Sequence, residues 1–256
     1  MKEIRRYELF TDDFAESGQQ DFRLPEDYRY VRRDPLSRLL SAVVYGIALV
    51  VSAVYCRVGL RMRIRGRRAL KATPDGGVFL YGNHTQPVGD VFTPAHCLFP
   101  RRIYTLVSPA NYALPVIGKL LPYLGALPVP DTVGGMRALQ QAMETHLSRG
   151  CGVVIYPEAH VWEYYTGIRP FPATSFKFPV KFGRPVYAMT VTYQKARFGK
   201  RPNMVVYIDG PFSPVGETPA QKAESLRAAV QETMERRSRE SNVEYIRYEP
   251  KEPRQQ

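Results

Sequence analysis

The sequence predicts an α/β fold with a mainly parallel central sheet flanked by helices, preceded by an N-terminal apolar helix of membrane-associated character. Three observations carry this. Strand-like apolar runs alternate with helix-period segments from residue 61 onward, the pattern of crossover-connected parallel strands. The clearest strands, GVFLYG and GVVIYP, are continuously apolar, as strands buried on both faces are. Finally, Leu39 to Cys56 reads LLSAVVYGIALVVSAVYC without one charged residue.

Taken in order, residues 1–36 form a polar arm. The opening MKEIRRYELFTDDF mixes charges and has no apolar core, so it is not read as a secretory signal. Residues 37–60 hold the apolar helix. Eighteen uncharged helical residues reach about 27 Å, close to a hydrocarbon thickness, so both a span and an interfacial or core helix stay open. Arg57, Arg61, Arg63, Arg65, Arg67, Arg68 and Lys71 follow it, a basic flank suited to anionic headgroups that places the next domain on the cytoplasmic face.

Within residues 61–243, RMRIRG alternates as a short strand and LKATPDGG turns. GVFLYGNH is a strand running into a loop, and Val88–Cys97 a helix that Pro94 must bend or shorten. RRIYTLVS is a strand, ANYALPVIGKLLPYLG a proline-interrupted helical stretch, and ALPVP an extended piece. From Thr132 a helix shows Met136, Leu139, Met143 and Leu147 at spacings of three and four, and Gly150 stops it. GVVIYPE is the next strand. A short helix over Ser175–Phe182 leads to strands RPVYAMTVTY and NMVVYIDG. Thr218, Pro219 and Gln221 open the last helix with a capping box; its apolar face is Ala223, Leu226, Val230 and Met234. Residues 244–256 are expected to be a flexible tail.

The net charge of +12 asks for an anionic partner: nucleic acid, an anionic lipid surface or a phosphate-rich cofactor. No nucleic-acid recognition motif accompanies it, so nucleic acid is not expected. Cys56, Cys97 and Cys151 have no paired or ligand-like spacing, which argues against a disulfide framework or a zinc site. His84, His96, His146 and His160 share no ligand spacing either, so no metal is expected. A G-x-S-x-G elbow is absent, which speaks against a serine hydrolase.

Chemistry concentrates in GNHTQPVGD. His84 follows an apolar strand, and Asp90 lies at a helix start. A neutral imidazole takes a proton from an alcohol near pH 7, and a carboxylate on its other ring nitrogen fixes the tautomer. The plain reading is a strand-end histidine with Asp90 as a helix cap.

Further blocks occur in a set order. RIRGRRAL, LYGNHTQPVGD, PVIGKLLPYLGALPVPD, VVIYPEAH and GRPVYAMTV resemble, in that order, the lead-in and four motifs of the 1-acylglycerol-3-phosphate acyltransferases, the glycerolipid acyltransferase family. The resemblance covers roughly residues 60–215 and marks a divergent member. Five residues, TQPVG, separate His84 from Asp90, where the family has four. The family's two arginine positions hold Asp131 and Val161. Ala159 and His160 replace the Gly and Thr of its F-P-E-G-T-R motif, and Ala188 replaces the last proline of the fourth.

The resemblance implies an O-acyltransferase of phospholipid synthesis. It would move a fatty acyl group from acyl-CoA or an acyl-carrier protein to a membrane lipid hydroxyl, with no bound cofactor. His84 would be the base, Asp90 its partner, and Glu158, His160 and Arg169 the substrate-binding residues. Lys119 and Lys177 are alternatives to Arg169 as phosphate ligands, and each of the three is more often a surface charge. His160 either bonds the acceptor or caps a loop. Backbone amides after Gly89 would polarise the oxyanion, and Gly89 would absorb the extra His–Asp residue in a tight turn. Trp162, Tyr164 and Tyr165 suit an aromatic lip or ordinary packing. A family member that binds lipid without catalysis is the alternative.

Overall fold

The computed structural model describes residues 3–14, 22–25, 28–73 and 76–251 of the chain. Its elements in chain order are β1 (Glu3–Tyr7), α1 (Pro35–Val54), β2 (Arg63–Arg65), β3 (Val78–Gly82), α2 (Gly89–Leu98), β4 (Ile103–Val107), α3 (Ile117–Leu124), β5 (Ala126–Pro128), α4 (Val133–Ser148), β6 (Gly152–Ile155), α5 (Lys177–Phe182), β7 (Val186–Gln194), β8 (Asn203–Phe212), α6 (Pro219–Ser238) and β9 (Ile246–Pro250). Seven strands form one sheet in the order β2-β8-β7-β3-β6-β4-β5. Every neighbouring pair is parallel except β7–β8.

The two-residue period of the central strands sorts the core into two layers. Val78 and Leu80 of β3, Val154 of β6 and Met189 and Val191 of β7 point to the side holding Cys97 and Leu98 of α2. Phe79 and Tyr81, Val153 and Ile155, and Val186 and Ala188 point the other way, against Leu139 and Met143 of α4 and Leu226 and Val230 of α6. Helices thus cover both faces, which is why the strands are apolar throughout. Helix starts follow the sequence reading. The Thr132 side chain accepts from Gly135 N, and Thr218 with Gln221 closes a reciprocal capping box.

One expectation changes at the chain ends. β9 pairs in parallel with β1, Glu3 opposite Ile246 and Tyr7 opposite Pro250. Residues 246–250 are therefore a strand, not part of a flexible tail, and the arm contributes its partner; residues 252–256 lie outside the description. The physical reason is local: this small sheet packs on Trp162, which the aromatic rings of Tyr7, Phe14, Tyr165 and Tyr248 surround.

α1 runs along the domain beside α3 and α2. Asp34 caps it through Oδ1 on Ser37 N, with Pro35 in its first turn, and a π-helical turn, Tyr55–Gly59, continues it. Its inner face bonds the domain. The Ser41 hydroxyl donates to Tyr123 O at 2.9 Å, the Tyr45 hydroxyl accepts from Ile103 N, and Ser52 meets His96 at 2.9 Å. The outer face, Leu36, Leu40, Val43, Ile47, Val50, Val54 and Val58, is an exposed apolar stripe at spacings of three and four. The segment Pro35–Gly59 is long and apolar enough to cross a membrane, with mean hydropathy 2.2.

Candidate functional site

The carboxyl ends of β3, β6 and β7, three adjacent strands, converge at one sheet edge. In such sheets ligand-binding residues gather at that edge. β3 delivers Asn83, whose side chain imitates a strand residue: Asn83 Nδ2 donates to Val191 O at 3.1 Å and Asn83 Oδ1 accepts from Val191 N at 2.7 Å. That fixes the next residue, His84, just beyond the sheet.

His84 Nδ1 lies 2.8 Å from Asp90 Oδ2. The same oxygen accepts from Thr85 N and Gln86 N, each at 2.9 Å. With two backbone N–H groups also donating to it, this oxygen acts as an acceptor toward the ring, so Nδ1 of His84 carries the proton and Nε2 is left as the basic atom. The Asp90 side chain is 1% exposed and that of His84 19%, so the acid is sealed and the imidazole is open to solvent. Tyr156, at the end of β6, lies over the ring (4.3 Å between centroids, 18° between planes), and its hydroxyl donates to Asp90 O at 2.6 Å. Burial raises the Tyr156 phenol well above its usual range, so it stays protonated and donating.

The extra residue between His84 and Asp90 is taken up by a helical-type turn, Asp90 N to Gln86 O at 3.0 Å. Gly89 is not in the left-handed region. What it supplies is space, since a Cβ there would come within 3.0 Å of both Gln86 Cβ and Leu60 Cδ1. That same turn spends the Asp90 amide, which removes it from the oxyanion donors expected after Gly89.

Glu158 and Arg169 are together but face inward, their side chains 0% and 1% exposed. Glu158 Oε2 accepts from Arg169 Nη2 at 3.0 Å and from His84 N at 3.2 Å, and Oε1 accepts from Arg169 N at 3.1 Å. Arg169 also donates to Phe10 O and His160 O and lies 4.9 Å from the Trp162 ring. Glu158 and Arg169, expected as substrate-binding residues, are paired with each other, and Glu158 also accepts from the His84 backbone. A buried guanidinium needs its carboxylate, and this one has it.

His160 is brought near but turned to the arm, its Nδ1 3.2 Å from Asp13 Oδ2. Of the two readings open for Trp162, packing is the outcome; it is 0% exposed, with its indole N–H on Asp12 O. Lys119 and Lys177 are exposed on α3 and α5. The basic flank is exposed at Arg57, Arg61, Arg63, Arg65, Arg67 and Arg68, while the side chain of Lys71 lies outside the described residues. Among the described residues no three His, Cys, Asp or Glu side chains gather as a metal cage would require.

Three contributors escaped the sequence reading. Asn83 and Tyr156 flank the site, and Tyr193 of β7 pins its loop: the Tyr193 hydroxyl meets Thr85 Oγ1 at 2.7 Å and accepts from Gln86 Nε2 at 3.0 Å. Their signal was positional only, as polar or aromatic residues at or near strand ends.

Ala159 has φ +66°, on the left-handed side that a glycine adopts without cost. This is the position where the resembled motif carries glycine.

No protein-family model matches the chain, and no curated protein matches it in sequence. Among solved structures it is similar to the 1-acyl-sn-glycerophosphate (LPA) acyltransferase PlsC from Thermotoga maritima, with 16% identity over 84% of this chain and 86% of that one and a TM-score of 0.55. The chain therefore shares the fold of that acyltransferase.

Proposed function

We propose that the protein is an O-acyltransferase that moves a fatty acyl group from an acyl thioester, acyl-CoA or acyl-carrier protein, to the hydroxyl of a membrane lipid in glycerolipid synthesis. The observation that carries this reading is the His84–Asp90 pair, 2.8 Å apart, with a buried acid and an open imidazole. The shared fold and the order of the sequence blocks support it.

In the proposed step the acceptor hydroxyl sits against His84 Nε2. Its proton passes to the ring as its oxygen bonds to the thioester carbonyl carbon. The C–S bond then breaks, and the departing thiolate takes the proton back. Asp90 stabilises the transient imidazolium without itself being protonated. Glu158, Arg169 and Tyr156 are positioning residues. They hold the His84 backbone and ring so that little reorganisation is left for the reaction. The bond of Arg169 to Glu158 supports a positioning role for this arginine.

The outer face of α1 supports an interfacial position on the membrane. Crossing would carry the polar inner contacts of Ser41, Tyr45 and Ser52 into hydrocarbon, whereas lying flat buries only the apolar stripe. The cytoplasmic face, where the exposed arginines would meet anionic lipids, is part of the proposal.

Purified protein incubated with labelled acyl-CoA and mixed lysolipids should transfer the label to lipid, and His84→Ala should lower that rate at least about a hundredfold. Retained transfer in the variant would remove His84 as the base. Label left wholly on the thioester by the unaltered protein would instead favour a lipid-binding protein without catalysis.

A further inference from the structure

At the opposite sheet edge from His84, where β4 and β6 begin, the structure forms a half-open pocket of about 470 Å³. Arg102 precedes β4 and Arg149 precedes β6; Arg32 and Arg38 enter from the arm and the first turn of α1. Four arginines, Arg32, Arg38, Arg102 and Arg149, line this space, and among the described residues no carboxylate does. Asp34, adjacent in sequence, is committed to capping α1.

His146, at the end of α4, also lines the cavity. It is 4% exposed and stacked on Tyr104 with 3.5 Å between ring centroids. Neither ring nitrogen has a hydrogen-bond partner among the described residues, and neither does Nε of Arg102. A buried polar group without a partner costs stability, so each such atom calls for a ligand or water. Burial first, then the charges of Arg149 and Arg102, pushes the imidazole down to about 4. The ring is thus neutral near pH 7, with one donor and one acceptor, and it sits in a strongly positive field.

We infer that this cavity is a binding site for a phosphate ester, separate from the His84 site. Guanidinium forks match phosphate oxygens and stay charged at any working pH. The volume exceeds that of one phosphate and leaves room for a glycerol-sized group. Such a phosphate comes either from a lipid headgroup, since the cavity opens beside the first turn of α1, or from a soluble phosphoester.

The test is titration of the full-length protein with inorganic phosphate, with glycerophosphoglycerol, and with phosphatidylcholine vesicles with and without phosphatidylglycerol. Arg38 and Arg149 are exposed, so the double variant Arg38→Gln/Arg149→Gln keeps the fold. Arg197→Gln/Lys200→Gln removes equal charge from a distant exposed loop and serves as the control. Saturable binding should weaken at least about tenfold in the first variant and hardly in the control. His146→Phe, which changes no charge near pH 7, should weaken it about threefold or more, and His84→Ala should leave it intact. A response to the soluble esters identifies a free phosphoester; a response only to the anionic vesicles identifies a headgroup. Equal weakening by both charge-removing pairs, binding abolished by His84→Ala, or no saturable binding of any probe would overturn the proposal. Because every readout is binding, its failure is distinct from failure of the acyl-transfer reading.

Discussion

Asp90 Oδ2 gathers three donors, two of them backbone amides of the loop that carries His84, so one atom sets both the loop and the tautomer. Asp90→Asn keeps the size and the acceptor oxygen but removes the charge that balances an imidazolium. It should lower the transfer rate about a hundredfold or more with little change in KM, and combining it with His84→Ala should cost little beyond the single change. Steady-state kinetics of the three variants check this; additive losses would mean that the two residues do not act as a unit. Ala159 offers a test on stability instead. Its positive φ is held by the bonds around it, Ala159 N on Tyr156 O and His160 N on Glu158 O. Ala159→Gly should raise stability by about 1 kcal/mol in chemical denaturation, and a decrease would show that the backbone is not strained there. His84, Asp90 and Glu158 were singled out by the order of the motif blocks, because a place just past a strand or at a helix start is equally that of a strand-end residue or a helix cap. The inward aim of Glu158 and Arg169 was not legible, since spacing along a chain does not say which way a loop side chain turns.

At the scale of elements, the loop from Glu158 to Arg169 is clamped from both sides. Trp162 N donates to His84 O at 3.0 Å and Tyr164 N to Thr85 O at 2.9 Å, which ties it to the loop that carries His84. On the outside β1, β9 and the segment after β1 close over the Trp162 ring. Trp162→Ala would empty the centre of that aromatic cluster and should cost about 3–5 kcal/mol. Exchange of the β1 and β9 amides should then quicken ahead of that of β3 and β7; uniform loosening would mean that the terminal sheet does not depend on this anchor. The β1–β9 pairing was hidden in the sequence. Both strands are short and polar, without an alternating apolar face, and they lie at opposite ends of the chain, so neither period nor turn chemistry marks them. The central strands and α4 and α6 were legible for the converse reason: burial on two faces, or on one helical stripe, writes itself into composition.

For the whole molecule, the exposed apolar stripe of α1 and the exposed Val116 and Ile117 beside α3 give the domain a water-averse flank. Large exposed apolar patches on an otherwise polar domain mark binding surfaces, and the arginines after α1 suit the interface between tails and headgroups. Leu40→Glu/Ile47→Glu/Val54→Glu alters only outward side chains, so the inner bonds of Ser41, Tyr45 and Ser52 remain and the domain should stay folded. Flotation with phosphatidylglycerol-containing vesicles should fall at least about tenfold, because charged groups replace apolar area that would otherwise leave water. Acyl transfer to a lipid presented in vesicles should fall with it, while transfer to a monomeric short-chain acceptor should not. A high-pH wash gives the second axis: an interfacial helix leaves the vesicles, whereas a spanning helix stays. Undiminished flotation of the triple variant together with resistance to the wash would mean that α1 detaches from α3 and crosses the bilayer, contrary to the packing of its inner face.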